Sequence, residues 1–266
     1  MSAYMSIAAT LIEGANVDFR SPPEALRQYV GCFWIIRADR GATLRFIPDG
    51  YSSIACELGN DRQAQWFLRG PSLGPSLRRF AARSLLAGVR LRPGVPHLLT
   101  GSPADRIVNR RLRLTTAAWA RPLVDSYAGG EPEEFLRTLV TFLTDRLAGA
   151  RVHPVVMAAV DNIRATRGQA PIAGVAAACR VSPRHLTRLM RTWTGVSPKA
   201  FARIVRFQST LAEIADAPSQ PLASVAAANG YFDQAHLSGD VARLAAVTPT
   251  HIVRESVAEF SKTRCQ

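Results

Sequence analysis

Arg184, Thr187, Arg188 and Arg191 are spaced i, i+3, i+4 and i+7, which puts all four on one face of any helix that carries them. Guanidinium forks on one helix face suit two tasks: bidentate hydrogen bonds to the edge of guanine, and charge-assisted bonds to backbone phosphates. Leu186, Leu189 and Met190 fall on the opposite face, so such a helix has an apolar back and a basic front. Further along, Gln234 and His236 open a second helical stretch and offer base or phosphate contacts of their own; the plainer alternative for both is an ordinary solvated polar residue. This second stretch is poorer in positive charge. Asp233 and Asp240 stand against Arg243 alone, and Gly239 weakens a helix by about 1 kcal/mol relative to Ala. Base discrimination is therefore expected mainly from the first stretch.

A third constellation, Arg78, Arg79 and Arg83, precedes an apolar run and has no acidic neighbours in sequence, which suits an anionic ligand such as a nucleotide. The spacing is not the evidence. With 31 arginines, pairs at i,i+4 recur four times (79/83, 106/110, 180/184, 184/188), about what chance predicts; only the location in the N-terminal half is informative. Other chemistries lack their residues. Cys32, Cys56, Cys179 and Cys265 are far apart with no CxxC pair, which suggests neither a zinc site, a disulfide framework nor a methyl-accepting repair centre. His97 is the only histidine before residue 150, too few for a metal-dependent barrel enzyme. The expectation is a non-enzyme with no catalytic residues, no metal and no required cofactor. A net charge of +13, shared as +6 over residues 1–150 and +7 over 151–266, argues for a polyanionic partner. No apolar run approaches the roughly 18 residues that a membrane span needs. The first fifteen residues lack the basic flank of a secretory signal, so no membrane partner and a cytoplasmic location are expected.

The elements that must position these residues are legible as a repeat. Val175-Ala-Ala-Ala-Cys179 and Val225-Ala-Ala-Ala-Asn229 each lead through a turn into the polar stretches above, and the copies end at Gly195-Val-Ser-Pro198 and Ala246-Val-Thr-Pro249. The offset grows from 50 to 51 because the second turn is one residue longer. One supersecondary unit used twice is the reading, and helix–turn–helix fits it. Ser182 caps and Pro183 opens the first outer helix; Gly230 ends the second inner one. Between the units, Pro198 to Ala215 reads as one long helix with Phe201, Ile204 and Leu211 inward, a spacer that would set two readers about one DNA turn apart.

Residues 26–93 are β-rich, with short apolar or alternating runs at Tyr29–Ile36, Ala42–Ile47, Ser52–Cys56 and Leu85–Leu91, and a turn at Pro48-Asp49-Gly50. Residues 94–130 are mixed and carry no clear assignment. From Glu131 the pattern turns helical: Phe135, Leu139, Phe142, Leu143 and Leu147 form a stripe that packs either on the β half or on a second copy, and another helix runs from about Pro154 to Thr166. The expected class is α+β: a β-rich barrel or sandwich over residues 1–150, then an all-helical part over 151–266 with two helix–turn–helix units joined by a long helix.

Residues 155–253 resemble the DNA-binding domain of the AraC/XylS family, through Ser182-Pro-Arg-His-Leu-Thr-Arg188-Leu189, Thr194-Gly195-Val-Ser-Pro198 with Phe201, Gly230, Asp233-Gln-Ala-His-Leu-Ser238 and Val247-Thr-Pro249. The resemblance implies a sequence-specific bacterial transcription regulator, an activator. Its partners would be double-stranded promoter or operator DNA, RNA polymerase and a second copy in a homodimer. Base contacts would fall on Arg184, Thr187, Arg188, Gln234, Ala235, His236 and Gly239. Family members often carry arginine where this chain has Gly239, and glycine where it has Arg180. The N-terminal part resembles, more loosely, the cupin-like sensor domains of the family through Pro22-Pro23-Glu24-Ala-Leu26, Pro48-Asp49-Gly50 and Gly88-Val-Arg-Leu-Arg-Pro93-Gly94, which implies a small-molecule effector. The Arg79-x-x-x-Arg83 pair is similar to the pair with which PilZ domains hold cyclic di-GMP, the favoured effector; their companion [DN]-x-S-x-x-G motif is not found. The alternative is a regulator without a small ligand, whose first domain serves dimerisation or protein contact.

Overall fold

The computed structural model describes residues 10–13, 15–58, 63–127 and 131–252. Strands β1 (Thr10–Glu13), β4 (Ala42–Phe46) and β7 (Ser76–Phe80) make one antiparallel sheet in the order β1-β4-β7. A second antiparallel sheet runs β2 (Asn16–Arg20), β3 (Val30–Ala38), β8 (Ser84–Leu91), β5 (Ser52–Leu58), β6 (Ala64–Arg69), β9 (Arg111–Arg113). The near-continuous apolar run of β3 reflects a strand covered on both faces. Cys32, Trp34, Ile36 and Ala38 pack with Ala42 and Leu44 between the sheets, whereas Phe33 and Ile35 join the core beneath the helices.

Residues 94–130 hold short elements: α1 (Val95–Thr100), a 3-10 turn at Ala104–Ile107, β9, a 3-10 turn at Ala118–Ala120 and α2 (Arg121–Asp125). Helix α3 (Pro132–Leu147) lays its Phe/Leu stripe into the chain's own core, with the Phe135 ring 4.9 Å from that of Trp66. The apolar face of α3 is thereby filled, which decides for core packing over a dimer surface.

Helices α4 (Pro154–Ala165), α5 (Ile172–Ala178), α6 (Pro183–Thr194), α7 (Pro198–Asp216), α8 (Leu222–Ala228) and α9 (Gln234–Ala245) follow, with bounds close to those expected. The two units use the same joints. Ser182 Oγ accepts from His185 N–H (3.2 Å) to start α6, and Asp233 Oδ1 accepts from His236 N–H (2.7 Å) to start α9. Their ends diverge: Gly195 takes the left-handed conformation at φ 82°, and Ala246 takes it in the second copy at φ 55°. The fold is thus a β-rich N-terminal half followed by an all-helical half, and the packing is continuous between them. One buried cluster runs from Leu26 to Val205, and Ile47 of the β half sits in the core of the second unit with Phe207, Leu211 and Leu237.

Candidate nucleic-acid interface and effector cavity

The expected back of α6 is buried (Leu186, Leu189, Met190), which turns Arg184, Arg188 and Arg191 outward. These three and Thr187 line one open cleft with Ser182 and His185. Thr187 Oγ1 donates to Pro183 O (2.8 Å), so its hydroxyl proton is engaged and a lone pair is left to accept. Arg188 Nη2 lies 3.2 Å from His185 Nδ1. Asp105, from the 3-10 turn of the β half, borders the same cleft. The far end of α6 is pinned: the Trp193 ring is 4.3 Å from that of His97 in α1, and a Cβ on Gly195 would lie 2.8 Å from Ala104 O.

In the second unit, Gln234, Ala235, His236 and Gly239 are all exposed, and a Cβ on Gly239 would meet nothing within 4 Å. The charge balance differs from the sequence-based expectation. Asp240 is buried (4% exposed) and faces the spacer helix, where Arg203 Nη2 and Nε donate to its two oxygens at 2.8 and 3.3 Å and Arg206 approaches to 3.9 Å. Asp233 is committed to its cap. Arg203, Arg206, His236 and Arg243 line a cup on this side with Asp240 in its wall, so three arginines there stand against one carboxylate that two of them already approach. Two spacer-helix arginines that the linear pattern left out thereby join this surface.

Arg78, Arg79 and Arg83 do not converge. Arg78 forms a two-pronged ion pair with Glu57, its Nη2 donating to Oε2 at 3.0 Å. Arg79, its neighbour on a strand, points to the other face and is exposed; Arg83 sits in the following turn at φ 63°. The arginines that do gather are Arg69, Arg78, Arg110 and Arg111, which line a groove outside the sheets with Ser76 and Asn109. Arg111 Nη2 pairs with Glu57 Oε2 at 2.6 Å.

A cavity with about 70 Å³ of free space lies between the sheets. Its walls are Val17, Phe19, Trp34, Ile36, Phe46 and Ile47; its polar groups are Asp49, Tyr51, Ser52, Ser53, Arg69 and Arg90. Arg90 is 7% exposed, pairs with Asp49 (Nη2–Oδ2 2.8 Å) and stacks 4.1 Å over Tyr51, yet its Nε–H is buried without a hydrogen-bond partner among the described residues. Arg69 lies 3.9 Å over Phe46 and donates to Ser76 Oγ (3.2 Å), with no carboxylate in ion-pairing reach among the described residues. Burial, then repulsion from Arg78, lowers its pKa to about 10, so it stays cationic at neutral pH. The sequence held a signal for this site: a charged residue inside the apolar run of β8 must be partnered, and Arg90 is. Among the described residues no group of three or more His, Cys, Asp or Glu is placed to hold a metal ion, and no helix is long and apolar enough to cross a membrane.

Residues 19–113 match a domain of unknown function, DUF6597. No curated protein matches the chain. Similar solved structures include three of ToxT from Vibrio cholerae. One, at 1.65 Å resolution, is 12% identical with TM-score 0.45, covering 92% of this chain and 98% of that one. A second, bound to (E)-4-(8-methylnaphthalen-1-yl)but-3-enoic acid, is 10% identical with TM-score 0.46, over 92% and 100%. A third, bound to an unsaturated fatty acid, is 11% identical with TM-score 0.41, over 92% and 95%. Residues 175–255, which take in most of both capped repeat units and the helix between them, match the family described as a helix-turn-helix domain.

Proposed function

We propose that the chain is a sequence-specific DNA-binding transcription regulator of the AraC/XylS type, with a β-rich N-terminal domain that binds a small anionic effector. The observation that carries the DNA-binding reading is the pairing of two outward helices on one spacer: α6 presents Arg184, Arg188 and Arg191, and α9 presents Gln234 and His236 beside a basic cup. Arg184, Thr187 and Arg188 read bases, Arg191 holds phosphate, and the second unit adds contacts through Gln234 and His236. On this reading the partners are duplex operator DNA, RNA polymerase and a second copy of the chain, and the output is activation. Operator selection from a random duplex library, followed by titration of variants, tests it. Arg184→Ala and Arg188→Ala are each expected to cost about 1–3 kcal/mol at the selected site and to relax preference at one base pair, whereas Arg191→Ala weakens all sequences alike. Unchanged operator affinity in Arg188→Ala would remove the basis of the assignment.

The effector reading rests on the inter-sheet cavity, where a buried guanidinium with an orphan N–H and a second arginine without a carboxylate face apolar walls. That is the composition of a site for a small anion with an apolar body. ToxT, bound in two of the structures above to a butenoic acid derivative and to a fatty acid, is consistent with such a ligand class. Cyclic di-GMP fits less well, because Arg78 is engaged by Glu57 and Arg79 lies on the opposite face of the strand. It belongs in the same calorimetric series as small aryl and alkyl acids. Heat from cyclic di-GMP that is lost in Arg79→Ala/Arg83→Ala would reverse that order.

A further inference from the structure

The inter-sheet cavity and the outer basic groove share a wall: Arg69, Gly70 and Ser72 line both. Arg69 is the residue between them, its guanidinium over Phe46 on one side and bonded to Ser76 of β7 on the other. Beyond it, Arg69, Arg78, Arg110 and Arg111 line the groove against a single carboxylate, Glu57, which is shared by Arg78 and Arg111. Four cations against one anion leave three charges unanswered in this groove, on the far side of Arg69 from the cavity. Arg78 and Arg111 are also restrained by aromatic faces, over Phe80 (4.8 Å) and Phe67 (3.0 Å), so part of the cost of ordering them is met before any ligand arrives.

A monocarboxylate would answer one of these charges. A phosphomonoester brings about −1.5 to −2 at neutral pH and three acceptor oxygens, which matches a groove lined by several guanidinium forks. We infer that the effector is an amphipathic phosphoester: its apolar group enters the cavity walled by Phe19, Trp34 and Phe46, and its phosphoryl group is held in the groove by Arg69 and Arg110, the two groove arginines that no carboxylate engages among the described residues. The inference rests on the cavity being the effector site, as proposed above, and adds the head group and the residues that select it. The lowered pKa of Arg69 accords with it, since a dianion beside that side chain offsets both the burial and the repulsion from Arg78.

Calorimetry on the full chain with benzoate, phenyl phosphate and inorganic phosphate, repeated on Arg110→Gln, tests the inference. Arg110 is exposed, so its replacement leaves the fold intact. Phenyl phosphate is expected to bind at least about tenfold more tightly than either benzoate or inorganic phosphate, and Arg110→Gln to remove most of that advantage. Equal affinity for phenyl phosphate and benzoate would overturn the head-group assignment and leave the cavity reading standing. Inorganic phosphate binding as tightly as phenyl phosphate would make the groove a separate anion site and overturn the two-part ligand. No heat from benzoate or phenyl phosphate would sink the cavity reading itself, and this inference with it.

Discussion

Replacing Asp240 with asparagine separates two accounts of the second helix–turn–helix unit that predict opposite signs. If Asp240 faced DNA, as its position in the linear sequence suggests, removing its charge would tighten binding. The structure places it inward, 6% exposed at the side chain, gripping the Arg203 fork and lying 3.9 Å from Arg206. Taking one partner from a fully buried pair costs about 3–5 kcal/mol. Here Arg203 and Arg206 are 30% and 22% exposed and can turn to water, and asparagine keeps one acceptor, so about 2 kcal/mol is the expected loss. At this chain length that lowers the melting temperature by roughly 4–8 °C. Operator affinity should fall as α9 loosens on the spacer helix, and the loss should persist at raised salt. Urea melts of wild type and Asp240→Asn, with operator titrations at two salt concentrations, decide the matter. A variant as stable as wild type that binds more tightly at low salt would refute the inward placement.

Gly239→Arg should tighten operator binding about fivefold and stabilise α9 by up to about 1 kcal/mol, because the position is solvent-open, helical and beside the basic cup; weaker binding by a folded variant would show that this face does not meet DNA. Ala246→Gly relieves a left-handed alanine and should gain about 0.5–1 kcal/mol in urea melts, whereas Gly195→Ala adds the same strain plus a 2.8 Å approach to Ala104 O and should lose 2 kcal/mol or more, roughly; equal effects of the two substitutions would contradict the pressed contact at Gly195. Burial holds the Cys56 thiol up at about 12 and raises that of Cys32, so a short iodoacetamide pulse at pH 8 should leave both unmodified in the folded chain and label both in guanidinium, as read by peptide mass spectrometry. Fast labelling of either in the native state would place them outside the core.

The helical half was legible because its signals are local. Ser182 and Asp233 announce their caps, the alanine runs mark the supporting helices, and the two copies corroborate each other, so α5 to α9 emerge within a residue or two. The β half was legible only where alternation or burial is strong. Strands β3, β4, β5 and β8 show as short apolar or alternating runs; β6 and β7, which mix glutamine, serine or arginine with apolar residues, do not announce themselves. The same limit hid the inter-sheet cavity. Asp49 reads as a turn residue, Arg69 ends a strand and Arg90 interrupts another, and nothing in their spacing says that a six-stranded and a three-stranded sheet fold them onto one cavity. Arg78, Arg79 and Arg83 failed as a cluster for the complementary reason. Closeness along a strand alternates faces, and the partners of Arg78 come from β5, β6 and β9. Asp240 shows the same at a single residue, since charge counting along α9 could not see which face the spacer helix covers.

A ligand in the cavity can act on DNA binding only through contacts that differ between the free and bound states, and one short segment is placed to carry them. The turn from β4 into β5 lines the cavity with Ile47, Asp49 and Tyr51 and also touches the helical half. Ile47 lies in the core of the second unit, Pro48 O accepts from Gln208 of the spacer helix, and Gly50 is so close to Phe201 that a Cβ there would fall 2.7 Å from the ring. Arg45, just upstream, donates to Ala245 O at the end of α9 (3.3 Å). Asp49 Oδ1 accepts from Tyr51 N–H (2.8 Å), so an anion that drew Arg90 from Asp49 would loosen the side chain that fixes this turn, and the turn rests on the spacer helix. Cores of this density switch between discrete arrangements rather than deform continuously, so a small shift at Asp49 has a repacking of Phe201 and Gln208 as its natural consequence.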